Sequence, residues 1–168
     1  NAERDTEPSG TRMGDIVIDA TGRNTLLTDD LRAAGANIPE DKSPAGILYF
    51  TRHYRLKPGQ EEPPRDAVPG AGDLGYIKFG VFAADHRHFS ITLAVPEIET
   101  SLRTATFDPE VFDRICMAIP GAARWINPSR AEPVTKVFGM GNLMNAWKYF
   151  APNGIPAALN FFAVGDAA

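Results

Sequence analysis

The stretch Tyr76–Pro96, YIKFGVFAADHRHFSITLAVP, leaves this chain few ways to fold. Ile77, Phe79 and Val81 alternate along its first half, Phe89, Ile91, Leu93 and Val95 along its second, and the polar Asp85-His86-Arg87 lies between. A period of two on both sides of a short polar break predicts an antiparallel hairpin. One of its faces is packed and the other is open to a ligand, a partner or water. The chain is therefore committed to a sheet.

The remaining elements are read around that hairpin. AGILYFTRHYRL, ending at Leu56, is rich in β-branched and aromatic residues and predicts a long strand. Leu48, Phe50, Arg52, Tyr54 and Leu56 share one face of it, and Ile47, Tyr49, Thr51, His53 and Arg55 the other. GDIVIDATGRNT predicts a short buried strand over Ile16-Val17-Ile18 that turns at Thr21-Gly22. TDDLRAAGAN predicts a short helix, with Thr28 or Asp29 to cap it and Gly35 to end it. FDPEVFDRICMAIPG predicts an amphipathic helix with Asp108 as N-cap, Pro109 in the first turn and Pro120-Gly121 as its stop. A shorter helix is expected in AARWIN, and strands in PVTKVFGM, WKYF and IPAALNFFAV. Residues 57–75 hold a Pro- and Gly-rich segment without apolar period, expected as a mobile loop. The fold class is α+β: a mostly antiparallel sheet covered by helices on one side.

Composition excludes several kinds of partner. The 168 residues suit about one domain, and 17 basic against 21 acidic residues leave a net charge of −4, which offers nucleic acid or an anionic membrane no general attraction. No apolar run approaches the roughly 20 residues of a membrane span. The single Cys116 rules out an internal disulfide framework, favours a cytoplasmic location and sits in an apolar helical pattern as a buried structural residue. His53, His86 and His88 lie on separate strands or at a hairpin tip without Cys or paired carboxylates, so no metal site is expected. No G-x-S-x-G elbow is present. No G-x-G-x-x-G match opens a strand–helix unit, and GMGNLMNAW carries little weight as a substitute. Asn1-Ala2 reads as the remnant of a removed tag, residues 1–13 as a flexible lead-in, and 14–168 as the folded domain.

For contact with a small organic substrate, the open face of the sheet is expected to supply an aromatic wall with a few polar groups. The candidates are Arg52 and Tyr54 on one strand, Tyr76, Lys78 and Phe82 on the next, and Trp147 before the last strand. The competing reading of these residues is core packing for the aromatics and plain surface for Arg52.

Two further stretches stand out as a pair: DIVIDATGR near the start, and FFAVGDAA at the end. Together they resemble the paired motifs of FAD-dependent monooxygenases of the para-hydroxybenzoate hydroxylase type, and of related reductases and epoxidases. In that family a nucleotide-binding core is interrupted by a sheet-rich substrate-binding domain. The resemblance implies that this chain is such a domain carrying the edges of the FAD-binding core at both ends, DATGR and GDAA. It implies FAD contacts at Gly22, Arg23, Gly165 and Asp166, with Thr21 standing where the family usually has Asp. It also implies NAD(P)H as reductant and an FAD-binding core of the same protein as partner, with no cofactor held by this chain alone. Hydroxylation or epoxidation is expected over saturation of a double bond or halogenation. No residue of this chain then has to act as an acid or base, because the flavin carries the redox chemistry. Without its neighbour the domain is expected to self-associate to some extent. The alternative from another class is a free-standing ligand-binding or interaction module without cofactor.

Overall fold

A computed structural model describes residues 14–64 and 66–168; the lead-in of residues 1–13 lies outside the described residues. Two compact units share the chain: one takes in the residues up to Ser43 together with Ala146–Ala168, the other is Pro44–Asn145.

The Pro44–Asn145 unit is built on a six-stranded sheet in which every pairing is antiparallel. In chain order its strands are β3 (Ile47–Leu56), β4 (Ala71–Asp73), β5 (Lys78–Ala83), β6 (His88–Pro96), β7 (Ala131–Pro133) and β8 (Phe138–Met140). They lie in the order β4-β5-β6-β3-β7, and β8 pairs with β3 beside its opposite end. The β5–β6 hairpin forms where the alternation places it, and its turn puts His86 and Arg87 at positive φ. Residues 57–75 contain more order than the sequence predicts, since β4 pairs with β5 there and Asp66 holds Arg124.

Helices α2 (Thr100–Phe107), α3 (Pro109–Ala118) and α4 (Pro120–Ile126) complete the unit. The Asp108 side chain caps α3 by accepting from the Glu110 and Val111 amides, with Pro109 at the helix start. α3 stops just before Pro120, as expected, and Pro120 also opens α4, because a proline suits the first turn of a helix as well as it ends the last. Phe112, Cys116, Ile119, Ala122 and Ile126 pack on Leu48, Phe50, Tyr54, Phe89, Ile91 and Leu93. At Gly121 a Cβ would stand 2.1 Å from the Pro69 carbonyl oxygen, so only glycine lets α4 begin against that segment. The fold is α+β, a mostly antiparallel sheet with helices on one face.

The other unit holds β1 (Val17–Asp19), α1 (Leu27–Ala33), most of β2 (Glu40–Pro44) and β9 (Met144–Lys148), and β10 (Phe161–Ala163). β1 and β10 pair in parallel, Ile18 opposite Phe162. Helix α1 begins three residues earlier than a cap at Asp29 would require and two earlier than one at Thr28: Thr25 Oγ1 accepts from the Leu27 amide, and the chain leaves the helix through Gly35 at φ +96°. Among the described residues, no helix is long and apolar enough to cross a membrane.

Candidate functional site

The two motif turns meet. Register puts Asp19 opposite Ala163, so the turn Ala20–Arg23 and the turn Gly165–Ala167 leave the same end of one parallel strand pair. The Val164 amide donates to the Asp19 carbonyl at 2.9 Å and ties the two exits together. Gly22 and Gly165 both take left-handed backbone, φ +80° and +61°, conformations that cost a side chain dearly and glycine little. Both turns therefore double back without a Cβ in the way.

Asp19 organises this corner, a role the sequence hid inside an apolar run. It is fully buried; Oδ1 accepts from the Thr21 amide (3.0 Å) and the Thr21 hydroxyl (2.6 Å), and Oδ2 from the Thr25 hydroxyl (2.5 Å). Thr25 in turn receives the Leu27 amide, so one carboxylate links the strand end, the turn and the start of α1. Burial pushes the Asp19 carboxyl up. The hydrogen bonds from Thr21 and Thr25 outweigh it, helped by the Lys148 ammonium, and hold it below the ordinary aspartate value. Lys148 also donates to the Ala167 carbonyl at 2.9 Å, pinning the second turn. Asp166 and Arg23 are exposed, and among the described residues neither side chain has a hydrogen-bond or ion-pair partner. A free carboxylate, a free guanidinium and two glycine turns at the carboxyl ends of parallel strands form a polar corner that suits hydroxyl and phosphate groups.

The sheet residues expected to share one wall do not. Register aligns Arg52 with Ile91 and Val81, and Tyr54 with Phe89, on the face that the helices cover. Lys78 and Phe82 project from the opposite face, beside Thr51, Thr92 and His53. The expectation of one open face for all of them is thus corrected. Leu48, Phe50, Tyr54 and Leu56 drive their side of β3 into the core, and Arg52 goes with them.

Arg52 remains tolerable there because it is answered. Its Nη1 meets Asp113 Oδ2 at 2.8 Å and the Pro109 carbonyl at 3.1 Å, and its Nε donates to the Thr135 carbonyl at 3.0 Å. Tyr54 donates to Asp113 Oδ1 at 2.6 Å. Burial, and then the neighbouring Asp113 carboxylate, push the Tyr54 phenol well above its usual range; the same two causes raise the Cys116 thiol, which stays protonated and inert. On the other face Phe82 is exposed with its ring over Gly80, and Lys78 pairs with Asp73; Tyr76, just before β5, is exposed as well. Trp147 is exposed and stands edge-on to Tyr149.

Gly70-Ala71-Gly72-Asp73-Leu74-Gly75 spells G-x-G-x-x-G, but it lies on β4 and its turn into the antiparallel β5, where no helix N-terminus follows to receive a phosphate. Among the described residues no cluster of His, Cys, Asp and Glu could hold a metal ion.

No protein-family profile and no curated protein matches the sequence. Solved structures do match. The chain is similar to the flavin-dependent brominase Bmp2, at 15% identity and TM-score 0.56, over 95% of this chain and 38% of that one. It is also similar to CmlS, a flavin-dependent halogenase, at 20% identity and TM-score 0.53, over 92% of this chain and 26% of that one. The likeness is one of fold. The chain spans well under half the length of the structures it matches.

Proposed function

We propose that this chain is the substrate-binding part of an FAD-dependent oxidoreductase, a monooxygenase that hydroxylates or epoxidises a small hydrophobic organic substrate. One observation carries the reading. Asp19–Arg23 and Gly165–Asp166, far apart in sequence, leave the same end of one parallel strand pair, and the whole six-stranded sheet unit lies between them in the chain. Ligands of open parallel sheets bind outside the carboxyl ends of the strands. In this reading Gly22 and Gly165 let the backbone approach FAD, Asp166 accepts from its hydroxyls, and Arg23 faces its phosphates. Asp19 and Lys148 hold the two turns in place. The flavin, reduced by NAD(P)H, supplies the redox chemistry. This chain's own residues bind and orient the substrate and exclude water from it. Tyr76, Phe82 and Trp147 are the exposed aromatics of the expected substrate set, while Arg52 and Tyr54 act through the fold. An FAD-binding core of the same protein is the partner that covers the apolar faces of β1 and β10.

The test uses the protein encoded by the whole parent gene. It should purify yellow with FAD bound, and Asp166→Ala should weaken FAD retention about tenfold or more, the loss expected for charge-assisted hydrogen bonds. A colourless protein that takes up no added FAD sinks the reading in favour of a module without cofactor. The two matched folds support halogenation as a second reading, since both belong to halogenating flavoenzymes. Mass analysis of products formed with and without bromide or chloride separates it from hydroxylation.

A further inference from the structure

Tyr54 is the one phenol that the Pro44–Asn145 unit closes off from water: the residue is 2% exposed, and its hydroxyl donates to Asp113 Oδ1 at 2.6 Å. Burial, and then the Asp113 carboxylate, keep this phenol protonated far beyond its usual range, so it does not serve as an acid or base by itself. It can still give up its proton together with an electron, because an oxidised phenol is a strong acid.

Three features equip it for that. First, a base is in place. Asp113 Oδ2 is taken by Arg52 Nη1 at 2.8 Å, which leaves Oδ1 to the phenol. The carboxylate keeps 34% of its side chain in water, so a proton received from the interior can leave to solvent. Second, the ring is connected. Tyr54 and Phe89 are opposite residues of β3 and β6, stacked with centroids 5.3 Å apart at 14°, and Phe89 meets Trp125 of α4 at 5.0 Å and 52°. One aromatic ring thus separates Tyr54 from Trp125, a span that an electron tunnels across readily, and Trp125 is partly exposed. Third, the ring is enclosed. Tyr149 also donates to a carboxylate, Asp41 at 2.7 Å, but it is 41% exposed, where a radical is quickly lost to solvent and other molecules. The Arg52 guanidinium, 5.8 Å from the centre of the Tyr54 ring, opposes a positive charge there and so favours loss of electron and proton together.

We infer that Tyr54, Asp113 and Trp125 form a proton-coupled redox site, which reduces a radical oxidant arriving at Trp125 and stores the oxidising equivalent on Tyr54. An alkoxyl radical takes one electron from the Trp125 indole and, with a proton from water, becomes an alcohol. One electron then passes from Tyr54 across the Phe89 contact and restores the indole. The phenolic proton moves to Asp113 Oδ1, which leaves a neutral phenoxyl radical. A thiolate reductant, oxidised to its thiyl radical, returns an electron by the same route, and the proton on Asp113 restores the phenol. Every group lies in Pro44–Asn145, so the inference stands apart from the FAD reading.

The test uses the 168-residue chain carrying Tyr49→Phe, Tyr76→Phe, Tyr149→Phe and Trp147→Phe, which leaves Tyr54 and Trp125 as its only phenol and indole. Flash oxidation with photoexcited tris(bipyridine)ruthenium and a sacrificial cobalt acceptor is followed by transient absorbance and by electron paramagnetic resonance of frozen samples. The indole radical should appear first and a phenoxyl radical should replace it. Deuterated water should slow that replacement, because a proton moves with the electron. Asp113→Asn, which keeps an oxygen against the phenol but no base, should slow it about a hundredfold, the usual contribution of a positioned base. Trp125→Phe should remove most of the phenoxyl yield. Absence of a phenoxyl radical, or its formation at one rate in both waters, overturns the inference. So does an unchanged rate in Asp113→Asn or an unchanged yield in Trp125→Phe. The deuterium comparison retains Asp113 and decides the matter even where Asp113→Asn unfolds the chain. None of these outcomes bears on whether the parent protein holds FAD, so the two readings fail separately.

Discussion

The two units solve the same problem differently. The six-stranded unit uses one sheet face to bury Phe50, Phe89, Ile91 and Leu93 under α3 and α4, and gives its other face half-polar cover in Thr51, Thr92 and His53. The β1–β10 pair is parallel and apolar, yet Ile18 and Phe162, side by side in register, are 65% and 56% exposed, with Ile16 and Val164 exposed in continuation. Parallel strands in folded proteins are covered on both faces. One unit is thus held by its own core, whereas the other is held by hydrogen bonds at one corner and leaves its apolar strands in search of cover. Apolar burial can therefore be broken in the first with large loss, and polar contacts should matter most in the second.

The chain's two tryptophans fall one in each unit, Trp125 against Phe89 and Trp147 exposed beside Tyr149, so single-tryptophan variants report on each separately. The largest effect is expected from Phe112→Ala. Phe112 is completely buried at the centre of the helix–sheet contact, and its removal should cost about 3–5 kcal/mol, read as an earlier urea midpoint of Trp125 fluorescence. Asp113→Asn comes next. It strips the ion pair from Arg52 and an acceptor from Tyr54, but Asp113 keeps 34% of its side chain in water, so about 2 kcal/mol is expected by the same measurement. A loss larger than that of Phe112→Ala would mean that the polar clamp, not the apolar core, holds this unit.

How much of this was legible in the sequence follows the same division. Regular apolar period revealed the hairpin, β3 and the Asp108-capped α3, because each buries a face through its own repeat. Helix α2, with three threonines in TSLRTATF, and the three-residue β7, which ends in a proline, lack such a repeat and form where their neighbours hold them. The alternation on β3 correctly placed Arg52 with Phe50 and Tyr54, but it could not say that this face is the covered one. The partner that makes burial acceptable, Asp113, is 61 residues away. Asp19 was invisible as an organiser because its partners Thr21 and Thr25 read as ordinary turn residues. The close approach of β8 was hidden for a related reason: GMG carries little weight as a nucleotide motif, while its use, letting this segment approach Phe107 and Leu48, depends on contacts that no local spacing encodes.

In the terminal unit, Asp19→Ala should cost about 1–3 kcal/mol locally by leaving the Thr21 amide and two hydroxyls without their acceptor. Amide exchange at Thr21 and Val164 should accelerate, with Trp125 fluorescence unmoved. The carboxyl's folded pKa lies below its ordinary value of 3.8, so its contribution is fully present above that pH and is lost as pH falls below it. The same amides should therefore exchange faster on acidification below about pH 4 in the wild type, after correction for intrinsic rates, and show less change in Asp19→Ala. Equal acid sensitivity in both proteins would remove Asp19 from its organising role.

The smallest change in stability should come from the pair Ile18→Ser and Phe162→Ser, and it tests the contrast most directly. Exposed side chains contribute little to the fold that exposes them, so both melting reporters should stay within about 0.5 kcal/mol of wild type. Their effect belongs in association. The wild-type chain should sediment progressively faster as its concentration rises, because contiguous apolar surface on a strand pair recruits a second copy. The serine variant should sediment as a monomer throughout the same range. A wild-type chain that stays monomeric at every concentration would show that the β1–β10 face needs no cover, and that the hydrogen bonds around Asp19 suffice to hold this corner.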